Sequence, residues 1–139
     1  MEIHKIVIEG TLPGLNEYSA AERGRWGAQT AARLKRETQE RIGWAIAAQM
    51  RGVRFTEPVR LRYLWVEPNR RRDKDNICFA HKFVQDALVE AGVLRGDGWR
   101  HIWEFSDAFA VDRSRPRVEV EIEEVEDGRG GVFESANID

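Results

Sequence analysis

Asp73-Lys74-Asp75-Asn76, directly behind Arg70-Arg71-Arg72, is where the residue types of this chain come closest to chemistry. Two carboxylates one residue apart share a side if the backbone is extended there. Hard oxygen donors of that kind suit Mg²⁺, which takes one or two carboxylates and keeps waters in the rest of its octahedron. Arginines and lysines around such a pair make sense if a phosphodiester must approach the metal. The same tetrad also reads as a turn and helix cap, with Asp75 or Asn76 accepting a backbone N–H. Surface ion pairs, worth about 0–1 kcal/mol each, are a further reading of acids among arginines.

Two other residues join this set by spacing. On one continuous helix, Lys82 and Asp86 would each fall within about 20° of Asp75. Lys82 could then stabilise charge on a phosphate, or simply pair with Asp86 one turn away. Asp97, between Gly96 and Gly98, sits in a corner that lets backbone approach a ligand, or that merely turns. A helix over 76–91 carries the chain roughly 22 Å from Asp75. Asp97 therefore returns only if the connection doubles straight back, or a symmetric partner supplies the acid instead.

The elements that must carry these residues can be read from periodicity. Ile3, Ile6, Val7 and Ile8 form a short β-rich run closed by Gly10 and Pro13-Gly14. An Ala- and Arg-rich helical stretch runs from about Ser19 to Gly52, its early part, residues 19–31, readable as loop around Gly24 and Gly27. Val59, Leu61, Tyr63 and Trp65 alternate with Arg60, Arg62, Leu64 and Val66, which predicts a strand with one face more buried. Ile77, Ala80, Val84, Ala87, Leu88 and Ala91 recur at helical steps and stop at Gly92. Two further strands, 102–111 and 118–125, are joined through Asp112–Pro116. The last alternates Val and Ile with Glu, which predicts a wet, acidic face at a solvent-facing sheet edge. The sequence thus predicts one α+β domain over residues 1–126 in the order β-α-β-α-β-β, a mixed sheet with helices on one face. Residues 127–139 read as a flexible tail.

Composition limits the rest. The chain has 139 residues, enough for one domain with its own core. Its formal net charge is -2, from 22 basic and 24 acidic side chains. Residues 1–82 carry 16 basic and 10 acidic groups (+6), and residues 83–139 carry 6 and 14 (−8). The basic front contains most of the 18 arginines, whose planar fork suits phosphate. One cysteine, Cys78, excludes an internal disulfide, and no apolar run approaches a membrane span, so a reducing cytoplasm is the expectation. His4, His81 and His101 show no metal-ligand spacing with one another or with Cys78, which reads as a small packed residue. No Gly-rich phosphate loop or nucleophile elbow is present, and no small-molecule cofactor is expected.

Taken together, Arg71-Arg72-Asp73-Lys74-Asp75-Asn76-Ile77, Lys82-Phe83, Asp86-Ala87-Leu88-Val89-Glu90-Ala91-Gly92-Val93 and Asp97-Gly98-Trp99 resemble the RusA-like Holliday-junction resolvases of phages and prophages. Pro13-Gly14-Leu15-Asn16-Glu17-Tyr18, followed by an Arg-rich helix, is similar to that family's start, and the likeness covers roughly residues 5–125. The resemblance implies a homodimeric Mg²⁺-dependent endonuclease, with Mn²⁺ able to substitute, that nicks four-way DNA junctions symmetrically during recombination, repair or phage DNA processing. It carries the essential acids onto Asp73, Asp75 and Asp97 and the essential lysine onto Lys82. Arg70, Arg71, Arg72 and Lys74 would hold flanking phosphates, with Asn16, Arg23 and Arg25 along the DNA path. The chain departs from the pattern in having Gly96 before Asp97, and about one extra helical turn between Asp75 and Asp86. A branched-DNA binding protein that does not cleave, or a nuclease for other branched DNA, would use most of the same residues.

Overall fold

The computed structural model describes residues 3–125. In chain order these are β1 (Ile3–Glu9), α1 (Leu15–Arg23), α2 (Gly27–Gln49), β2 (Val59–Glu67), α3 (Lys74–Cys78), α4 (His81–Glu90), β3 (Ile102–Val111) and β4 (Arg117–Glu124). The fold is α+β, with a mixed four-stranded sheet in the order β1-β4-β2-β3. β4 runs antiparallel to both β1 and β2, while β3 runs parallel to β2. A parallel neighbour needs a crossover connection, and α3 and α4 supply it. The stretch 127–139, read as a tail, lies outside the described residues.

The alternation in β2 does what its sequence predicts. Val59, Leu61, Tyr63 and Trp65 are buried on the helix side, while Arg62 on the other side is exposed. Ile6 and Ile8 of β1, and Val118, Val120 and Ile122 of β4, join them in one core with Ile42, Ile46, Phe83, Val84 and Leu88 from the helices. Each fully buried side chain of this size contributes roughly 1.5–3 kcal/mol. On α2 the buried positions Ala31, Thr38, Ile42 and Ile46 keep helical spacing, so one stripe faces the sheet and Trp44 points away.

Three sequence expectations are corrected. First, helix begins at Leu15, directly after the Pro13-Gly14 turn, and only Gly24–Trp26 interrupts it. Second, the helix expected over 76–91 is two segments. It starts two residues earlier, at Lys74, and breaks at Phe79-Ala80, where Ala80 N–H bonds the Ile77 carbonyl and Lys82 N–H the Phe79 carbonyl. Such three-residue steps tighten the turn and rotate α4 relative to α3. The Phe79 ring meets those of Tyr18 and Phe83 at this break. Third, the acidic last strand is not an edge: β4 lies between β1 and β2.

Three of the four glutamates of β4, Glu119, Glu121 and Glu123, are paired with cations on the sheet face. Glu119 pairs with Lys5 at 2.6 Å and Arg117 at 2.7 Å. Glu121 takes Arg62 at 3.0 Å, and Glu123 takes Arg62 at 2.8 Å and Arg60 at 3.1 Å. A basic front and an acidic rear along the chain thus become one mixed-charge sheet face.

The two true edges differ. The outer edge of β1 is met by the Gln49 amide, which accepts from Val7 N–H at 2.8 Å and donates to the Val7 carbonyl at 2.7 Å, as a neighbouring strand would. β3 pairs with β2 alone among the described residues, and most of its side chains are exposed.

Candidate active site

The Arg-rich segment leaves β2 at Glu67 and is pinned by Arg72. Its guanidinium meets Glu67 through two bonds, at 3.0 and 2.8 Å, and also reaches the Leu12 carbonyl and Glu17. Glu67 is buried, so this bidentate pair holds the loop to the end of β2. Hydrogen bonding to Glu67 raises the Arg72 pKa further, against the effect of burial. Arg72, expected to hold a flanking phosphate, is thus already committed inside the protein.

The other end of the clamp is Asn76, which is buried and whose Oδ1 accepts from Asn16 N–H at 2.8 Å. Glu17 closes the turn by accepting from Gly14 N–H at 2.7 Å. Burial pushes the Glu17 pKa up, but the bonds from Gly14, Arg72 and Asn76 outweigh it and hold it low. Gly14 is required here for space: a Cβ would lie 2.4 Å from the Asn76 carbonyl oxygen. Two segments that the sequence places 60 residues apart therefore meet, with Asn16 beside the Asp73–Asn76 turn.

Asp73 is the N-cap residue of α3, yet its side chain makes no capping bond. Asp75 Oδ1 accepts only from Asn76 N–H, at 2.8 Å. Asp97 stands exposed in its glycine corner. Among the described residues none of these three carboxylates has an ion pair. The same holds for the guanidinium groups of Arg23, Arg25, Arg70 and Arg71. Lys74 lies over the Phe109 ring at 5.4 Å, and Arg25 over Trp26 at 5.5 Å. Arg70, Arg71 and Arg113 border a hollow floored by Val111 and Pro68, so the β3–β4 connection adds an arginine to the patch.

Two geometric premises drawn from the sequence do not survive. Because helix starts at Lys74, Asp73 and Asp75 are not on an extended run, and the shared side expected of them is lost. The break at Phe79-Ala80 likewise removes the continuous helix that aligned Asp75 with Lys82. Lys82 is two-thirds exposed and lies 3.8 Å from Asp86, which also faces Lys35 at 4.0 Å and accepts from Gln39 at 3.3 Å. The plain i,i+4 pair is thus present.

As a donor set for Mg²⁺, exposed carboxylates with no ion pair among the described residues fit, since this ion needs only one or two of them. Asp73, Asp75 and Asp97 do not form a close three-ligand group, however. Among the described residues that description belongs to Cys78, His81 and Asp107, whose ligand atoms lie within 4.8 Å of one another. Spacing along the chain does not single out these three as ligands. Cys78 and His81 stand in a Cys-x-x-His arrangement, but Asp107 arrives from β3 and only the parallel pairing with β2 brings it in. Asp107 Oδ1 lies 2.6 Å from His81 Nε2 and accepts from Trp65 Nε1 at 2.8 Å. Burial, then the Asp107 carboxylate, and more weakly Asp75, push the Cys78 thiol up.

No helix among the described residues is long and apolar enough to cross a membrane. No family model matches the chain, and no curated protein is significantly similar to it.

Proposed function

We propose that the chain is a divalent-metal-dependent endonuclease for branched DNA, with the four-way junction as its first substrate. The observation that carries this reading is a contrast in charge pairing. On the sheet face Glu119, Glu121 and Glu123 are each matched to a cation. At the Asp73–Asn76 turn and the arginines before it, Arg72 is paired with Glu67, but Asp73, Asp75, Arg70 and Arg71 have no ion pair among the described residues. Unpaired charges of both signs at one exposed place are what a metal and a phosphodiester would together neutralise.

In this reading Asp73 and Asp75 hold the Mg²⁺ and Asp97 is the third acid, within the chain or from a partner. Bound there, the ion would lower the pKa of an attacking water and offset charge on the scissile phosphate. Arg70, Arg71 and Lys74 hold the flanking backbone, and Asn16 and Arg23 of α1, with Arg25 in the connection to α2, extend the path. Arg72 instead positions the loop through Glu67. Lys82 would have to exchange its Asp86 partner for a phosphate. A homodimer would present two such sites to the two-fold symmetry of a junction. The uncovered edge of β3, with Phe105 and Val111 each 48 % exposed, offers a place for it to form.

The second reading is a branched-DNA binding protein that does not cut, favoured by the lack of a close three-ligand group of Asp73, Asp75 and Asp97 among the described residues. A panel of four-way junction, fork, flap and linear duplex, with and without Mg²⁺ or Mn²⁺, decides. Paired nicks on the junction only with metal are expected. Tight binding without nicks under every condition would establish the second reading, and nicking of forks or flaps in preference to junctions would move the substrate.

A further inference from the structure

We propose that Cys78, His81 and Asp107 form a binding site for a zinc-class transition-metal ion, separate from the Asp73–Asp75 carboxylates and independent of the nuclease reading. Thiolate, imidazole and carboxylate are the donors Zn²⁺ takes, and three protein ligands with a fourth place for water make an open site. Zinc–ligand bonds of about 2.0–2.3 Å put tetrahedral donors roughly 3.3–3.8 Å apart. The three ligand atoms already lie within 4.8 Å of one another, so the contraction required is small.

Three features of the surroundings support the assignment. The first is orientation. Trp65 Nε1 donates to Asp107 Oδ1 at 2.8 Å, which fixes one carboxylate oxygen and leaves the other for the ion. Partners of this kind, behind the ligands, set ligand geometry in metal sites. The His81 ring is held among Tyr63 at 4.5 Å, Trp65 at 5.5 Å and Phe105 at 4.5 Å. The second is charge. A Cys78 thiolate and the Asp107 carboxylate together would offset the two positive charges of the ion. Zn²⁺ entry would displace the thiol proton, which leaves to solvent, while neutral His81 would shift its proton from Nε2, the nitrogen that faces Asp107, to Nδ1 and so free the Nε2 lone pair for the metal. The third is position. Cys78 ends α3, His81 opens α4, and Asp107 lies mid-way along β3. An ion there would tie the thinly covered edge strand to the helix break.

The single cysteine of the chain makes the test specific, because any thiolate–metal signal must come from Cys78. The full-length, reduced protein is titrated with Co²⁺ and then Zn²⁺. The expected result is one equivalent bound with a near-ultraviolet thiolate-to-cobalt charge-transfer band, displaced by Zn²⁺ but not by excess Mg²⁺. Cys78→Ser abolishes the band and weakens Zn²⁺ binding by about 100-fold, and Trp65→Phe weakens it by about 10-fold. His81→Ala and Asp107→Asn each weaken binding as Cys78→Ser does. Cys78 packs only partly buried at the margin of the core and its one polar contact is 4.0 Å to the Asp75 carbonyl, so the near-isosteric serine variant keeps the fold even if the other two do not. Absence of the band in wild type, its displacement by Mg²⁺, or Zn²⁺ affinity unchanged in Cys78→Ser overturns the proposal.

Discussion

The Oδ1 of buried Asn76 accepts the backbone N–H of Asn16 at 2.8 Å, so the turn that starts α1 and the turn that starts α3 are one structural unit. Cutting that part-buried bond costs about 0.5–1.5 kcal/mol. Asn76→Ala is therefore expected to lower the melting temperature by several degrees, and Gly14→Ala to do at least as much by driving a Cβ into Asn76. Thermal unfolding of the two single variants and the double variant checks this. The double should fall well short of the sum, because both break the same contact.

The arginines of the loop should divide by role. Arg72→Ala strips a bidentate partner from buried Glu67 and is expected to cost about 3 kcal/mol in stability. Arg71→Ala should be neutral for stability within about 0.5 kcal/mol, while reducing the salt slope of DNA binding by about 1. Denaturant unfolding and binding titrations across salt measure the two effects. A destabilised Arg71→Ala with an unchanged slope would remove Arg71 from the DNA path.

Asp75→Asn is expected to abolish junction nicking while leaving junction affinity unchanged or tighter, since it removes a negative charge from a phosphate-facing surface. Gel-shift and nicking assays on one preparation provide the check. Equal loss of binding and nicking would mean that the carboxylate supports structure rather than chemistry.

Lys82→Met separates a phosphate-facing role from the Asp86 pair. The pair is exposed and worth at most a few tenths of a kcal/mol, so the melting temperature should hardly move. Nicking should fall about 100-fold if the ammonium stabilises charge at the phosphate. Unchanged single-turnover nicking would leave Lys82 as the partner of Asp86 alone.

Acid should unfold the protein through the sheet face. Bonds from Lys5 and then Arg117 hold the Glu119 pKa below the ordinary 4.5, and a bond from Arg62, with a weaker one from Arg60, does the same for Glu123, in both cases against burial. A carboxyl with a lowered folded pKa adds stability above its unfolded value, and that stability is lost as pH falls through the folded one. Melting temperature is expected to hold above about pH 5 and to drop below it, less steeply in a Glu119→Gln, Glu123→Gln double variant. High salt should shrink the difference, because these pairs are partly exposed. An identical acid limb in the double variant would place the acid sensitivity elsewhere.

Local chemistry sufficed for much of this protein. Alternation along Val59–Trp65 and Val118–Ile122 marked their buried faces, because a strand's side chains can only alternate. The step from Val84 to Leu88 and the stop at Gly92, where φ is +79°, were equally readable, since helix pitch and left-handed backbone depend on near neighbours. The exposed Asp and Arg side chains of residues 70–75 stand out as a cluster for the same reason. Contacts between distant segments had to wait for the fold. Arg60 and Arg62 fall opposite Glu123 and Glu121 only because β4 inserts antiparallel beside β2, which turns a +6 and −8 chain asymmetry into a neutralised face. Arg72 looks like its neighbours in sequence, and only Glu67 and Glu17 set it apart. Asp107 reaches Cys78 and His81 through the parallel register of β3 on β2 and the break between α3 and α4. Spacing along a chain reports contacts within a few residues, such as Cys78-x-x-His81, whereas Asp107 lies 26 and 29 positions beyond these two and was joined to them by tertiary packing alone.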